Sequence, residues 1–231
     1  MARLDDAGIP AIHSPAFEIE HAPESVIRDR IDSLAGFDAA IVTSPVAARI
    51  VAEGAVDSGL RDVPFFAPGR GTASLLLAAG LRCGFPDSGG TSEHILAMAD
   101  FADVDGSRIA IVGAPGGRGL LASELSERGA DVVTVHVYRR TALPPAAALI
   151  DALRQRQGPV VLISSRQAFA MITDALDDAT RMAWLGSRFI VSSARLERLC
   201  SEAGVARIRC ASGAADDHML AAALDAGWMR G

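Results

Sequence analysis

The sequence predicts an α/β protein: two flavodoxin-like parallel-sheet domains joined by two linkers, with the first strand of the discontinuous domain missing. Three observations predict it. Apolar strands alternate with helices along almost the whole chain. Residues from about 36 to 99 recur at about 158 to 223 in the same order of strands and helices. The remaining segments interleave with this repeat, so that one domain is divided along the chain.

The chain opens on the end of a helix, which Gly8 stops, and continues as an extended apolar run over residues 9–19. The opening "RLDDAGIPAIHSPAFEI" aligns with the later "ELSERGADVVTVHVYRR", which places Gly8 against Gly129. In the later copy, the strand "RIAIVG" and a glycine-rich turn precede the helix. We therefore expect the first copy to lack its opening strand, as in a chain with a misplaced or truncated start. In the sheet order 2-1-3-4-5 that strand is central, and its loss exposes two sheet edges.

The middle of the chain predicts one continuous domain, residues 25–141. Residues 36–99 read β-α-β-α-β-α, and the β-α-β of 108–138 completes a five-stranded parallel sheet with right-handed crossovers. The opening α-β pairs with the α-β-α-β-α-β-α that follows, which gives a discontinuous domain of 1–20 plus 146–231. The crossings "EHAPES" and "RRTALPP" are polar or proline-bearing, as linkers tend to be.

Composition excludes several classes of function. All 22 basic residues are arginine, and the absence of lysine excludes lysine Schiff-base chemistry and a Walker A nucleotide site. The net charge of −6, with no basic block, argues against a nucleic-acid partner. No apolar run reaches the ~18 residues of a membrane span, and we expect no signal peptide. Three widely spaced cysteines suit a reducing cytosol and form no metal or redox motif.

Four segments together resemble the uroporphyrinogen-III synthase family over nearly the whole chain. They are "IVTSPVAARI", "PGRGTASLLLAAG", "RIAIVGAPGGRGLLASELSERGADVVTVHVYRRT" and "FIVSSARLERLCSEAG". The third, a strand, a glycine-rich turn, a helix and a strand ending V-x-V-Y-x-x-T, is the most specific. The chain departs from the family pattern where the opening strand is absent, where Gly113 and Ala114 replace arginine and glycine, and where "SSARL" replaces G-P-T-T.

The resemblance implies an enzyme that closes the linear tetrapyrrole hydroxymethylbilane into uroporphyrinogen III, inverting the last ring and expelling water. It also implies an active-site cleft between the two domains, and no cofactor or metal. We expect a cytoplasmic monomer whose partner is this polycarboxylate substrate, with transient contact to the preceding enzyme of the pathway. Neither nucleic acid nor a membrane is an expected partner.

The predicted site consists of one tyrosine and the strand-to-helix turns. Tyr138, the only tyrosine of the chain, matches the family tyrosine proposed to assist the departing hydroxyl; a tyrosine packed at a strand end fits the pattern equally. Helix N-termini at the carboxyl ends of parallel strands offer free N–H groups to carboxylates, although each turn singly also fits an ordinary N-cap. The candidate substrate-binding residues are Thr43, Ser44, Gly69, Arg70, Gly71, Thr72, Gly116, Gly117, Arg118, Ser164, Ser165, Ser192 and Ser193.

Two other functions fit parts of the pattern. "GRGTAS" and "GAPGGRG" suggest a dinucleotide site, but neither gives G-x-G-x-x-G directly after a strand. A non-catalytic two-domain binding or sensor protein for a small anionic ligand would retain the same turns. It would bind a tetrapyrrole or a sugar acid without turnover.

Overall fold

The structure is a computed structural model that describes residue 4 and residues 8–55, 59–88, 90–116, 119–155 and 158–228. The chain divides into two compact units. Unit 1 comprises residues 1–18 and 141–231, and unit 2 comprises residues 19–140. The sequence predicts a discontinuous domain of 1–20 plus 146–231 and a continuous domain of 25–141. The points where the chain passes from one unit to the other therefore differ from the prediction by a few residues.

The described residues form alternating strands and helices. The strands are β1 (Phe17–His21), β2 (Ala39–Val42), β3 (Phe65–Phe66), β4 (Cys83–Gly84), β5 (Arg108–Gly113), β6 (Asp131–His136), β7 (Tyr138–Ala142), β8 (Val160–Ile163), β9 (Arg188–Val191) and β10 (Arg207–Cys210). The α-helices are α1 (Glu24–Asp32), α2 (Pro45–Gly54), α3 (Arg70–Ala78), α4 (Ser92–Leu96), α5 (Leu120–Glu127), α6 (Ala147–Leu153), α7 (Arg166–Ala175), α8 (Asp178–Leu185), α9 (Ala194–Glu202) and α10 (Asp216–Asp225). Short 3₁₀ turns cover Ser33–Gly36, Gly59–Asp62 and Ala99–Phe101.

Unit 2 contains a five-stranded parallel sheet in the order β4-β3-β2-β5-β6. In chain order these strands read 3-2-1-4-5. Numbered as in the other copy of the repeat, with β5 and β6 as strands 1 and 2 and β2, β3 and β4 as strands 3, 4 and 5, they have the flavodoxin-like order 2-1-3-4-5 that the sequence predicts. Alternate side chains of a strand point to opposite faces, so Ile109 and Ile111 enter one apolar cluster while Ala110 and Val112 enter the other. Both faces of the sheet are therefore buried, which explains why β5 reads as an uninterrupted apolar run.

Unit 1 contains a three-stranded parallel sheet in the order β10-β9-β8. Its main core is aromatic. The ring centroid of Trp184 lies 4.9 Å from that of Phe189 and 6.2 Å from that of Phe169. The indole Nε1 of Trp184 donates to Thr173 Oγ1 over 3.0 Å, which satisfies the polar atom of a buried side chain.

A groove of ≈ 770 Å³ runs along β8 within unit 1. It is lined by all four residues of β8 and by residues 9–17. In the internal repeat β8 matches β2, and β2 has β5 as its second neighbour. Among the described residues β8 pairs with β9 alone. The groove therefore lies along the free edge of β8, where the sequence predicts the missing strand.

The opening segment differs in part from its predicted form. Gly8 has a φ of 65°, and Ile9 N–H donates to Leu4 O over 2.9 Å, the geometry of a glycine-terminated helix end. The rest of the predicted helix end lies outside the described residues. Residues 9–16 carry no strand, because a strand there would need a neighbour along the open edge.

The two crossings between the units also differ from the predicted linkers. The first includes β1 and the second includes β7, and these two strands pair in a sheet of their own. An ion pair between Arg139 and Glu20 joins them, and Leu143 N–H donates to Ala16 O over 3.0 Å. Backbone pairing thus satisfies polar groups that two separate linkers would leave to solvent.

Candidate active site

Three predicted turns of unit 2 lie at one edge of its sheet. Thr43 and Ser44 follow β2, Gly69 to Thr72 follow the short β3, and Gly116 follows β5. Because β3, β2 and β5 are parallel neighbours, their carboxyl ends, and with them these turns, share an edge. Two further predicted residues of the third turn, Gly117 and Arg118, lie outside the described residues.

The turn after β2 has two hydroxyl groups with different roles. Thr43 Oγ1 donates to Val112 O over 3.1 Å, so its hydrogen is used within the fold. A Cβ at Gly113 would collide with Thr43 Oγ1, which explains the glycine at the end of β5. Ser44 is the N-cap of α2, and its Oγ accepts from Ala47 N–H over 3.2 Å.

The turn after β3 separates a core residue from an exposed one. Thr72 is only 6% exposed and packs inside unit 2. Arg70 is exposed, with its guanidinium carbon 5.7 Å from the centroid of the Phe85 ring. The cation therefore remains accessible to an anionic ligand, whereas the Thr72 side chain does not.

Unit 1 carries a matching pair of serine turns at the carboxyl ends of β8 and β9. Ser165 caps α7 by accepting from Ala168 N–H over 3.2 Å, and Ser193 caps α9 by accepting from Leu196 N–H over 3.3 Å. Ser192 Oγ donates to Ser164 O over 3.2 Å. The four predicted serines of unit 1 therefore lie together at one sheet edge.

Tyr138 lies at the same end of unit 2 as the first set of turns. It follows the end of β6, and the preceding Val137 N–H donates to Gly113 O over 3.0 Å. The Tyr138 side chain is 3% exposed. Its hydroxyl oxygen lies 3.1 Å from Ser44 Oγ and accepts a 2.8 Å hydrogen bond from Arg140 Nη2. The Tyr138 hydroxyl thus connects a predicted substrate-binding turn to a cation.

Arg140 is absent from the residues that the sequence predicts for this site. Its guanidinium carbon lies 5.2 Å from the centroid of the Tyr138 ring, in cation–π geometry. The signal for it is the strand period of two: in β7, Arg140 falls on the same face as Tyr138. Arg139 alternates to the other face and pairs with Glu20.

The thiols of the chain are poor nucleophiles. Burial raises the pKa of Cys83 and of Cys200 to about 11 in each case. Burial, and then the charge of Glu197, raises the pKa of the Cys210 thiol as well. All three thiols are therefore protonated near neutral pH. The described part of the chain has no cluster of three or more His, Cys, Asp or Glu residues that could hold a metal ion.

The family model described as uroporphyrinogen-III synthase HemD matches residues 1–221. The chain belongs to the uroporphyrinogen-III synthase family. It is 28% identical to the uroporphyrinogen-III synthase of Escherichia coli over 232 residues, which cover 96% of this chain and 93% of that protein. It is 31% identical to the synthase of Proteus mirabilis over 145 residues, 60% of this chain and 72% of that protein. The predicted resemblance is confirmed.

Solved structures of uroporphyrinogen III synthases share the fold. A mutant synthase from Thermus thermophilus has a TM-score of 0.71 at 20% identity and covers 99% of this chain and 92% of its own. The synthetase from Helicobacter pylori has a TM-score of 0.64 at 16% identity, with 91% of both chains covered. These structures confirm the two-domain α/β fold with parallel sheets. In the described part of this chain, no helix is both long and apolar enough to span a membrane.

Proposed function

We propose that this chain cyclises hydroxymethylbilane to uroporphyrinogen III, inverting ring D and releasing water, as a lyase of haem or sirohaem biosynthesis. Family membership supports the reaction class. The observation that carries the proposal is the placement of Tyr138, whose hydroxyl contacts Ser44 at the carboxyl edge of the unit 2 sheet. We propose that the enzyme acts in the cytoplasm as a monomer, with transient contact to the enzyme that supplies its substrate.

The reaction demands positioning more than strong acid catalysis. An electron-rich pyrrole expels its hydroxymethyl oxygen readily, so a hydrogen bond to the departing oxygen suffices. The harder task is to fold a flexible chain so that the last ring is attacked at the carbon that already carries a bridge. Holding reactants in such a geometry is worth up to ~7–11 kcal/mol in favourable cases.

The substrate carboxylates find donors of two kinds. Backbone N–H groups at the N-termini of α2, α3, α7 and α9 carry a partial positive charge, which attracts carboxylates. The exposed Arg70 adds a guanidinium that can bind a carboxylate bidentately. We propose that the turns of both units contact the substrate, because one small set of donors is insufficient for a polycarboxylate.

The assay supplies hydroxymethylbilane and separates the product isomers. The proposal expects isomer III, formed faster than the spontaneous closure to isomer I. The Tyr138→Phe variant is expected to lower kcat by about 10- to 100-fold, the range for loss of one hydrogen bond within the hydroxyl pair that contacts the departing oxygen. Isomer I alone would contradict the proposal, and saturable tetrapyrrole binding without isomer III would establish the binding-protein alternative.

A further inference from the structure

We propose that Arg140 is a positioning residue that orients the Tyr138 hydroxyl, and that Ser44 is the donor through which this pair contacts the substrate. The inference rests on the proposed function for its catalytic consequence. Its structural part concerns three side chains of unit 2: Arg140 donates to Tyr138 over 2.8 Å, and Tyr138 lies 3.1 Å from Ser44.

Counting hydrogens shows that the hydroxyl pair must donate outward. Ser44 and Tyr138 bring two hydroxyl hydrogens, and the bond between them uses one. Among the described residues, their other partners are the Arg140 guanidinium and Ala47 N–H, which are donors that cannot accept. One hydroxyl hydrogen of the pair therefore remains for a third group, whichever of the two residues donates to the other.

Burial decides which residue carries that hydrogen. The Tyr138 side chain is 3% exposed, whereas Ser44 is half-buried and begins α2 at the edge of the sheet. If Arg140 donates to Tyr138 and Tyr138 donates to Ser44, the outward hydrogen belongs to the more exposed residue. The reverse direction would leave the free hydrogen on the buried Tyr138.

Arg140 sets the direction of this chain of hydrogen bonds. Its guanidinium carries only donors, so the phenol oxygen accepts from it and the phenol hydrogen is free to donate to Ser44. The guanidinium also lies against the ring, with 5.2 Å between its carbon and the ring centroid, and limits rotation of the hydroxyl. A charged donor at one end polarises the bonds that follow it, so Ser44 becomes a stronger donor toward the departing oxygen.

The kinetic test uses Arg140→Gln and Arg140→Lys, with Arg28→Gln as control. Arg28 is an exposed arginine of the same unit that pairs with Glu24, so its loss removes the same charge away from the site. Arg140→Gln is expected to lower kcat for isomer III by about 10- to 100-fold with KM little changed, the effect of one charge-assisted hydrogen bond. Arg140→Lys should restore part of the rate. A raised KM with unchanged kcat would overturn the proposal, because it would make Arg140 a ligand of the substrate.

The serine is tested with a cap-matched control. Ser44→Ala removes both the outward hydroxyl and the α2 cap, while Ser44→Thr keeps both. Asp177→Ala removes a cap of unit 1, where Asp177 Oδ1 accepts from Thr180 N–H over 2.8 Å. We expect Ser44→Ala to lower kcat as strongly as Tyr138→Phe, Ser44→Thr to restore it, and Asp177→Ala to leave it unchanged. Equal rates for Ser44→Ala and the wild type would overturn the assignment of Ser44 as donor.

A spectroscopic test needs no substrate. Tyr138 is the only tyrosine, so ¹³Cζ-labelled tyrosine gives one resonance that reports the hydrogen bonds of this hydroxyl. Arg140→Gln and Ser44→Ala should each shift it, and Arg28→Gln should not. An unshifted resonance in Arg140→Gln would overturn the positioning role whatever the activity. If the wild-type chain forms no isomer III but both substitutions still shift the resonance, the result would support the contacts and contradict only the proposed function.

Discussion

Strands β2 and β8 are repeat-related segments in different surroundings. In unit 2, Ala40, Ile41 and Val42 of β2 are all 0% exposed. In unit 1, only Ile163 of β8 is buried, while the other three residues of the strand remain partly exposed. Both segments, "AAIV" and "VVLI", consist of apolar residues, and the more exposed one is the more apolar, so hydrophobicity does not explain the difference. The difference in burial follows from what lies beside each strand. Strand β5 pairs with β2, whereas the groove lies beside β8.

The turns that follow the same two strands do not differ in this way. Ser44 and Ser165 each cap the next helix by accepting from a backbone N–H three residues on, and both distances are 3.2 Å. A cap depends on a few consecutive residues, whereas the burial of a strand depends on elements far away in the chain. The comparison therefore separates local features, which both units share, from burial, which they do not share.

The largest expected effect is a difference between two matched substitutions. Ile41→Ala in β2 should cost about 2–5 kcal/mol of unfolding free energy in unit 2, because it leaves a cavity in a closed core. Leu162→Ala at the matching position of β8 should cost only about 1 kcal/mol, since the side chain borders the groove. Denaturant unfolding, followed by hydrogen exchange in each unit, measures both. Equal costs would show that the groove is filled in solution.

The next prediction tests whether the groove accepts a strand. A second copy of residues 108–121, placed directly before Met1, would put "RIAIVG" where the repeat expects it. We expect unit 1 to gain about 2 kcal/mol from new apolar burial, and the amides of β8 to exchange more slowly. Leu162→Ala should then become as costly as Ile41→Ala. A copy with aspartate in place of both isoleucines is the control, and equal exchange rates in the two extended chains would contradict the prediction.

A smaller effect concerns the order in which the units open. Cys83 lies in unit 2 and Cys200 in unit 1, and burial raises the pKa of both thiols to about 11. Both should therefore react slowly with an alkylating reagent at pH 8 in the folded chain. With Cys210→Ser to remove the third thiol, rising urea should expose Cys200 before Cys83, because the described part of unit 1 has a three-stranded sheet and that of unit 2 a five-stranded one. Mass spectrometry of labelled peptides gives the order, and earlier labelling of Cys83 would reverse the ranking of the units.

The smallest effect is a pH dependence confined to unit 1. The Thr180 backbone N–H holds the pKa of Asp177 below its usual value by donating to the carboxylate at the start of α8. A carboxyl with a lowered folded-state pKa contributes stability that is present above its unfolded pKa of ~3.9 and is lost as pH falls through the folded value. Asp177→Asn keeps the cap without the titration. Its unfolding free energy should fall less than that of the wild type between pH 6 and 3, and parallel curves would contradict this assignment.

Much of the fold and part of the site could be predicted from the sequence. The serine turns depend on local patterns, and the strand order of unit 2 follows from the repeat and the alternation of strands with helices; the structure contains both. The pairing of β1 with β7 could not be predicted, because it joins two crossings that are far apart in the chain. Arg140 was missed because the sequence predicts a linker after Tyr138, where the structure has strand β7; without that strand, the period of two that separates Arg140 from Arg139 could not be applied.

The sequence by itself determined the duplicated α/β architecture, the family and the identity of the lone tyrosine, since these depend on residue order and spacing. Tertiary structure alone decided that Arg140 and Ser44 meet at the Tyr138 hydroxyl and that β8 borders a groove. Hydrogen bonds of about 3 Å and the burial of a strand require atoms from distant segments to occupy particular positions. Pairwise positions of that kind arise from packing, and no local pattern of residues encodes them.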